Sequence, residues 1–219
     1  MKNFDLIIFD CDGVLVDSES ISQSVIATYL TELGFPYTVK ESETDFKGRA
    51  MTDVMRVAEE RYGKKVPEEF LEEYERRLII DMKKNLKAVP GAKEILEQLD
   101  LPFCVASSGS HEKMKISLGI TDIWRLVEGR IFSADDVGKG KPNPDLFLHT
   151  AKEMGVDPQA CLVIEDSVNG VLAAKAAGMT AWGFSRETPQ AELKQAGADW
   201  VFGDFRELDF NSFDPCPPL

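Results

Sequence analysis

Short apolar segments that end in polar loops recur along the chain, and segments with helical periodicity separate them. Short apolar runs are typical of buried strands, whereas apolar positions three or four residues apart are typical of amphipathic helices. Strands that alternate with helices predict a parallel sheet with helices on both faces, and ligands of such sheets lie beyond the carboxyl ends of the strands. The predicted strands are residues 5–12, 103–110, 130–135, 161–167 and 180–185, and the clearest helices between them are residues 90–99, 143–155 and 168–179.

Residues 18–87 break this alternation. Residues 18–35, 51–63 and 66–86 all have helical periodicity, and no convincing strand lies between them. We therefore expect two domains. Residues 1–17 and 88–219 form an α/β core, and residues 18–87 form a helical domain inserted after the first strand.

The composition narrows the classes of partner and compartment. The chain has 219 residues, and its 38 acidic and 25 basic residues give a net charge of −13. An electrostatic grip on nucleic acid or on an anionic membrane is therefore not expected. No stretch is long and apolar enough to cross a bilayer, and no signal peptide is predicted, so we expect a cytoplasmic protein. The cysteines have no metal-ligand or CxxC spacing, and we expect Cys11, Cys104 and Cys161 to be small buried hydrophobic residues.

Several predicted strands end in residues that can do chemistry. An acidic pair at one strand end often only terminates the strand or caps a helix. Two acidic ends and one hydroxyl end at the same sheet edge are harder to explain in that way, because like charges repel unless a cation or a shared proton lies between them. Oxygen ligands of this kind suit Mg²⁺. The residues concerned are Asp10 and Asp12, Ser107 and Ser108, and Glu165 and Asp166.

A magnesium ion among carboxylates suits phosphoryl transfer. One aspartate can attack phosphorus to form an aspartyl-phosphate, and its neighbour can protonate the leaving oxygen and later accept a proton from water. The transferred group also needs hydrogen-bond donors and a fixed positive charge, for which Ser107 and Lys141 are the candidates. Lys139 is an alternative to Lys141, and both could be solvated loop lysines. The segment GKGK is not a phosphate-binding loop of the GxxxxGK[ST] type.

Four segments in this order resemble the motifs of the haloacid dehalogenase-like hydrolases. They are DCDGVLVDS after the first strand, the serine of VASSGS, the lysine of KGKPNPDLF and the acidic pair of VIEDSVNG. Together they resemble the subfamily with a helical cap, which holds sugar-phosphate phosphatases and β-phosphoglucomutase. The resemblance spans residues 5 to about 185 and implies a doubly wound, Rossmann-like parallel sheet, with residues 18–87 as a small cap domain inserted after the first strand.

The resemblance also implies roles for individual residues. Asp10 would be the nucleophile and Asp12 the general acid and base, and Ser107 and Lys141 would bind the transferring phosphoryl group. The Mg²⁺ ligands would be Asp10, the backbone carbonyl of Asp12 and Asp166, with Glu165 as a further ligand or as a neighbour of the ligands. Ser108 lies beside Ser107 and is a further candidate contact to substrate.

In the inserted domain, FKGRAMTD at residues 46–53 is the predicted specificity loop, and Lys47 and Arg49 could reach the part of a substrate that is not transferred. They could equally be solvated. Glu19 and Ser22 are candidate partners for sugar hydroxyls. Phosphomutases of this family carry a histidine at the place of Ser22 and an arginine at the place of Met51, and these two departures favour transfer of the phosphoryl group to water.

The sequence therefore predicts a monomeric, Mg²⁺-dependent phosphatase of a small phosphorylated metabolite, with a sugar or polyol phosphate favoured, acting through an aspartyl-phosphate. A phosphomutase of the β-phosphoglucomutase type is one alternative. A protein that binds a phosphorylated metabolite without turning it over is the other.

Overall fold

The structure is a computed structural model and describes residues 4–46 and 51–208. The chain divides into two compact units. The first, called the core unit here, comprises Met1–Val16 and Lys87–Leu219, and the second, called the helical unit, comprises Asp17–Leu86. Lys47 and Arg49 lie outside the described residues, as does Cys216.

The described part of the core unit contains a six-stranded sheet in which every neighbouring pair is parallel. Its strand order is β3-β2-β1-β4-β5-β6. The predicted parallel sheet is confirmed, and β6 is a strand that the sequence pattern did not predict. The strands are β1 (Leu6–Phe9), β2 (Phe103–Ser107), β3 (Ile131–Ser133), β4 (Cys161–Glu165), β5 (Thr180–Phe184) and β6 (Trp200–Phe202).

The helices follow the chain in the same order. Those of the helical unit are α1 (Glu19–Glu32), α2 (Val39–Phe46), α3 (Met51–Tyr62) and α4 (Phe70–Asn85). Those of the core unit are α5 (Ala92–Gln98), α6 (His111–Ile120), α7 (Trp124–Val127), α8 (Asp145–Met154), α9 (Val168–Ala176) and α10 (Gln190–Gln195). Short 3₁₀ turns occupy Ala134–Asp136, Pro158–Ala160 and Phe205–Glu207.

The central strands are apolar without alternation because both of their faces are covered. Leu6 and Ile8 of β1 belong to a core cluster that includes residues of α8 and α9, and Ile7 and Phe9, on the other face, are also fully buried. Helix α9 packs on β4 and β5 through small residues such as Ala174. This packing fixes the carboxyl ends of the strands, where the candidate site lies.

The helical unit is held by aromatic packing. The rings of Tyr29 in α1 and Phe70 in α4 stack with centroids 5.0 Å apart, and the guanidinium of Arg77 lies 4.2 Å from the centre of the Tyr29 ring. Helix α2 was not predicted, because its sequence is mostly polar and its buried side chains are only Ser42 and Phe46.

Cys11, Cys104 and Cys161 are buried free thiols, as expected for small core residues. In residues 4–46 and 51–208, no helix has the length and apolar character needed to span a bilayer.

Candidate active site

The candidate site lies at the carboxyl ends of β2, β1 and β4, which are neighbours at the centre of the sheet. The chain builds the sheet outward from β1 toward β3 and then crosses over to add β4 on the other side of β1. A crevice forms outside such a switch point, because the connections on the two sides leave the sheet in opposite directions. Asp10 directly follows β1, and Glu165 ends β4. The order of the strands thus brings two distant acidic motifs together.

Asp10, Lys141 and Glu165 form a buried ion-pair group. The Nζ atom of Lys141 lies 2.5 Å from Asp10 Oδ1 and 2.6 Å from Glu165 Oε1, and it also donates to the backbone carbonyl of Ala106 at 3.2 Å. The side chains are 5%, 9% and 1% exposed for Lys141, Asp10 and Glu165. Lys139, the alternative considered from the sequence, is exposed to solvent. Of the two lysines, Lys141 is therefore the one that contacts the acidic strand ends.

The electrostatics of this group follow from its burial and its two signs of charge. Burial raises the pKa of Asp10 from its ordinary value of 3.8 to about 7, while the charge of Lys141 lowers it and that of Glu165 raises it. For Lys141, burial favours the neutral amine, but the charges of Asp10 and Glu165 outweigh burial and raise its pKa above the ordinary value. Lys141 is therefore held in its charged form and favours the ionised form of Asp10.

Glu165 is held by the start of α9 as well as by Lys141. Its Oε2 atom accepts hydrogen bonds from the backbone N–H of Ser167 at 3.0 Å and from the Ser167 hydroxyl at 2.9 Å. Ser167 is also the N-cap of α9 and accepts from the Gly170 N–H at 3.0 Å. Both oxygens of Glu165 thus already have partners. The family resemblance implied that Glu165 is either a metal ligand or a neighbour of the ligands, and these contacts favour the second role.

Asp12 has a partner that the sequence did not predict. Its Oδ2 atom lies 2.8 Å from Nζ of Lys113, which stands in the first turn of α6. The sequence analysis did not assign residues 111–120 to a helix, and Lys113 was not considered as a site residue. A serine at the end of a predicted strand is a typical helix N-cap, and Ser110 does cap α6. This signal could have placed Lys113 in the first turn of a helix that starts at the sheet edge.

Ser107 ends β2 with its side chain buried, and its Oγ atom accepts from the Gly109 N–H at 3.0 Å. A Cβ atom placed on Gly109 would lie 3.4 Å from Ser107 Oγ and 3.6 Å from Asp12 Oδ2, so these two side chains approach the same glycine. Ser108 is exposed.

Asp166 lies against the loop that follows β1. Gly13 in that loop has a φ of +83°, and a Cβ atom there would lie 2.1 Å from Asp166 Oδ2. Only glycine adopts this conformation without strain and leaves room for the carboxylate. The backbone after Asp12 is thus brought close to Asp166, although the two are far apart in sequence.

These residues fit a magnesium ion by charge and by donor type. The four acidic residues after β1 and at the end of β4 carry −4 when ionised, and the two lysines that contact them carry +2, which leaves −2. Carboxylate and carbonyl oxygens are the hard ligands that Mg²⁺ prefers. Within residues 4–46 and 51–208, no three His, Cys, Asp or Glu side chains are grouped as a metal site. A set made of Asp10, Asp166 and the Asp12 carbonyl needs only two side chains.

Two of the four predicted substrate contacts of the helical unit, Glu19 and Ser22, form hydrogen bonds within that unit. Glu19 Oε1 accepts from Gln23 Nε2 at 2.9 Å, and the Ser22 hydroxyl lies 2.9 Å from the Tyr74 hydroxyl. Lys47 and Arg49 lie outside the described residues. The assignment of these four residues to substrate binding stays a prediction.

In this parallel sheet, acidic residues follow β1 and stand at the end of β4. A family model described as haloacid dehalogenase-like hydrolase matches residues 4–178, and the chain belongs to that family. The matched range contains all four motifs. The resemblance inferred from the motifs and the predicted Rossmann-like fold are thus confirmed.

Individual relatives narrow the comparison. The chain is 31% identical over 185 residues to 6-phosphogluconate phosphatase of Escherichia coli, covering 84% of each protein. Its fold is similar, with a TM-score of 0.83 and 36% identity, to a conserved haloacid dehalogenase-like protein of unknown function from Agrobacterium tumefaciens, covering 94% of this chain and 96% of the other. A putative β-phosphoglucomutase from Thermotoga maritima has a TM-score of 0.74 and 26% identity, with 92% and 95% covered. The family model and the similarity to 6-phosphogluconate phosphatase are consistent with an enzyme of the phosphoric monoester hydrolase class.

Proposed function

We propose that this chain is a Mg²⁺-dependent phosphatase that hydrolyses a small phosphorylated metabolite, preferably a sugar or polyol phosphate, through an aspartyl-phosphate on Asp10. The observation that carries the proposal is the buried contact of Lys141 with both Asp10 and Glu165 at neighbouring strand ends. A cation in that position reduces the repulsion between a carboxylate and an incoming phosphate dianion. The similarity to 6-phosphogluconate phosphatase supports the choice of substrate class.

In the first step, a carboxylate oxygen of Asp10 forms a bond to phosphorus while the bond between phosphorus and the alcohol oxygen breaks. The carboxyl group of Asp12 gives its proton to that leaving oxygen. Lys141 favours the ionised form of Asp10, and the hydroxyl of Ser107 donates a hydrogen bond to the transferred group. The alcohol then departs as a neutral molecule.

In the second step, a water oxygen attacks phosphorus and Asp12 accepts the water proton, so that the carboxyl group is restored. The bond between Asp10 and phosphorus breaks, which regenerates the carboxylate and releases inorganic phosphate. Asp10, Asp166 and the carbonyl of Asp12 would hold Mg²⁺, with Glu165 holding Lys141 in place. When bound, the ion supplies positive charge that stabilises the charge on the phosphoryl oxygens.

The test is phosphate release from sugar, polyol, glycolate and nucleotide monophosphates, with Mg²⁺ or with EDTA, using the wild type and Asp10→Asn. We expect Mg²⁺-dependent release from one or a few of these esters and loss of release in Asp10→Asn. Asp122→Asn is the matched control, since Asp122 is 79% exposed and its positive φ of 57° is tolerated by asparagine. Release in Asp10→Asn at the wild-type rate would exclude Asp10 as the nucleophile.

Transfer back to the sugar, as in a mutase, is the alternative that the fold alone does not exclude. The places at which a mutase carries a histidine and an arginine are Ser22 and Met51 in this chain. The Ser22 hydroxyl is paired with Tyr74, and Met51 begins α3. Isomerisation of a hexose phosphate without release of inorganic phosphate would favour the mutase over the phosphatase.

A further inference from the structure

Lys113 is the second lysine that contacts an acidic residue of the candidate site. Its Nζ atom lies 2.8 Å from Asp12 Oδ2, and both side chains are about a quarter exposed, at 27% and 25%. The two residues come from different parts of the chain and meet only because α6 starts at the carboxyl end of β2. Lys113 therefore touches the proposed acid and base, whereas Lys141 touches the proposed nucleophile.

Two local features fix this contact. Ser110 caps α6 by accepting from the backbone N–H of Lys113 at 3.3 Å, which sets the first turn of the helix. The stem of Lys113 passes over Gly109, where an added Cβ atom would lie 3.2 Å from Lys113 Cδ. The lysine stem thus lies against the backbone that follows Ser107.

A lysine in this position is not explained by helix stability. The first turn of a helix carries a partial positive charge, so a cation there is disfavoured, whereas an anion would be favoured. A partly exposed ion pair also contributes little to folding. The contact with Asp12 offsets the unfavourable position of the cation, and this suggests a role in the chemistry of Asp12.

We infer that Lys113 is a positioning residue, which holds the carboxyl group of Asp12 by Oδ2 in one orientation through both proton transfers. The inference rests on the proposed function, because it assigns Asp12 the proton transfers of a phosphatase. Lys113 takes no proton and forms no bond to substrate in this role. Its effect should be largest where the leaving oxygen needs a proton most.

The test compares two kinds of ester in the wild type, Lys113→Met, Lys113→Arg and Lys115→Met. An alkyl phosphate, such as a sugar phosphate, has a poor leaving group that must be protonated, whereas p-nitrophenyl phosphate releases a stable anion. The quantity compared is kcat/KM, which reports the steps up to the first departure of the alcohol or phenol. Lys115 is the matched control, because it is an exposed lysine two residues further along α6.

General acid catalysis contributes roughly 10²–10⁴-fold, and loss of its positioning should remove part of this, so Lys113→Met should lower kcat/KM for the alkyl ester about 10–100-fold. The same variant should lower kcat/KM for p-nitrophenyl phosphate by less than about threefold, since that leaving group hardly needs a proton. Lys113→Arg, which keeps a cation able to pair with Asp12, should recover most of the loss, and Lys115→Met should match the wild type.

Equal losses for the two esters would overturn the inference, because they would indicate a role in substrate binding or folding. Unchanged kinetics in Lys113→Met would overturn it as well. Both results would leave the phosphatase proposal standing if the wild type is active and Asp10→Asn is not. A wild type that releases phosphate from neither ester would refute the proposed function and the role of Lys113 with it.

Discussion

Gly170 offers a direct test of how the acidic strand end is built. It lies in the first turn of α9, and an added Cβ atom would fall 1.8 Å from the carboxyl carbon of Glu165 and 1.9 and 2.1 Å from its two oxygens. No rotation of the new methyl group can relieve such distances. In Gly170→Ala the carboxylate must therefore move away from Lys141, now at 2.6 Å, and from the N–H of Ser167, now at 3.0 Å.

The expected cost combines two opposing effects. Separating one partner from a buried ion pair costs about 3 kcal/mol. Alanine in place of glycine inside a helix stabilises by about 1 kcal/mol. The net destabilisation of the core unit is then about 2 kcal/mol, which for a chain of this size corresponds to a fall in Tm of about 4–8 °C. Phosphate release should fall as well, because Lys141 loses the group that holds it beside Asp10.

Urea unfolding followed by tryptophan fluorescence measures the free energy of unfolding of the core unit. The chain has three tryptophans, Trp124, Trp182 and Trp200, and all of them lie outside the helical unit. Gly119→Ala is the matched control, since Gly119 is also helical and a Cβ atom there would meet nothing within 4 Å. The control should be unchanged or slightly stabilised. A Gly170→Ala protein as stable as the control would refute the account of Glu165 given above.

Two further predictions concern Lys141 and the helical unit. Lys141→Ala should lower kcat and raise KM for phosphate release, whereas Lys139→Ala, which removes an exposed lysine, should not; equal effects in the two variants would contradict the assignment. Hydrogen bonds from Arg76 and Arg77 lower the pKa of Glu73 from 4.5 to about 2. This contribution to stability is present above pH 4.5 and is lost as the pH falls toward 2. Glu73→Gln should therefore make Tm, measured by circular dichroism, fall less steeply between pH 4.5 and pH 2. The same dependence of Tm on pH in the variant and the wild type would argue against this role of Glu73.

The order and chemistry of the motifs could be read from the sequence because both are local properties. An apolar run followed by acidic residues predicts a buried strand with a polar end, and several such runs separated by helices predict a parallel sheet. Parallel strands present their carboxyl ends at one edge of the sheet, so the pattern predicted that Asp10 and Glu165 lie at the same edge. Helix α2 was missed because it buries little apolar surface. The three-residue strand β6 was missed as well, although β3, which is equally short, was predicted.

The partners of the charged residues were decided only by the tertiary structure. Whether Lys139 or Lys141 reaches the strand ends depends on the path of a loop, and the pairing of Asp12 with Lys113 depends on where α6 starts relative to β1. By sequence alone Glu165 could be a metal ligand or a neighbour of the ligands, and its contact with Lys141, the close approach at Gly170 and the cap at Ser167 come only from the tertiary structure. Residue type and spacing along the chain determine which chemistry is possible, whereas ion pairs depend on distances of a few ångströms between segments far apart in sequence.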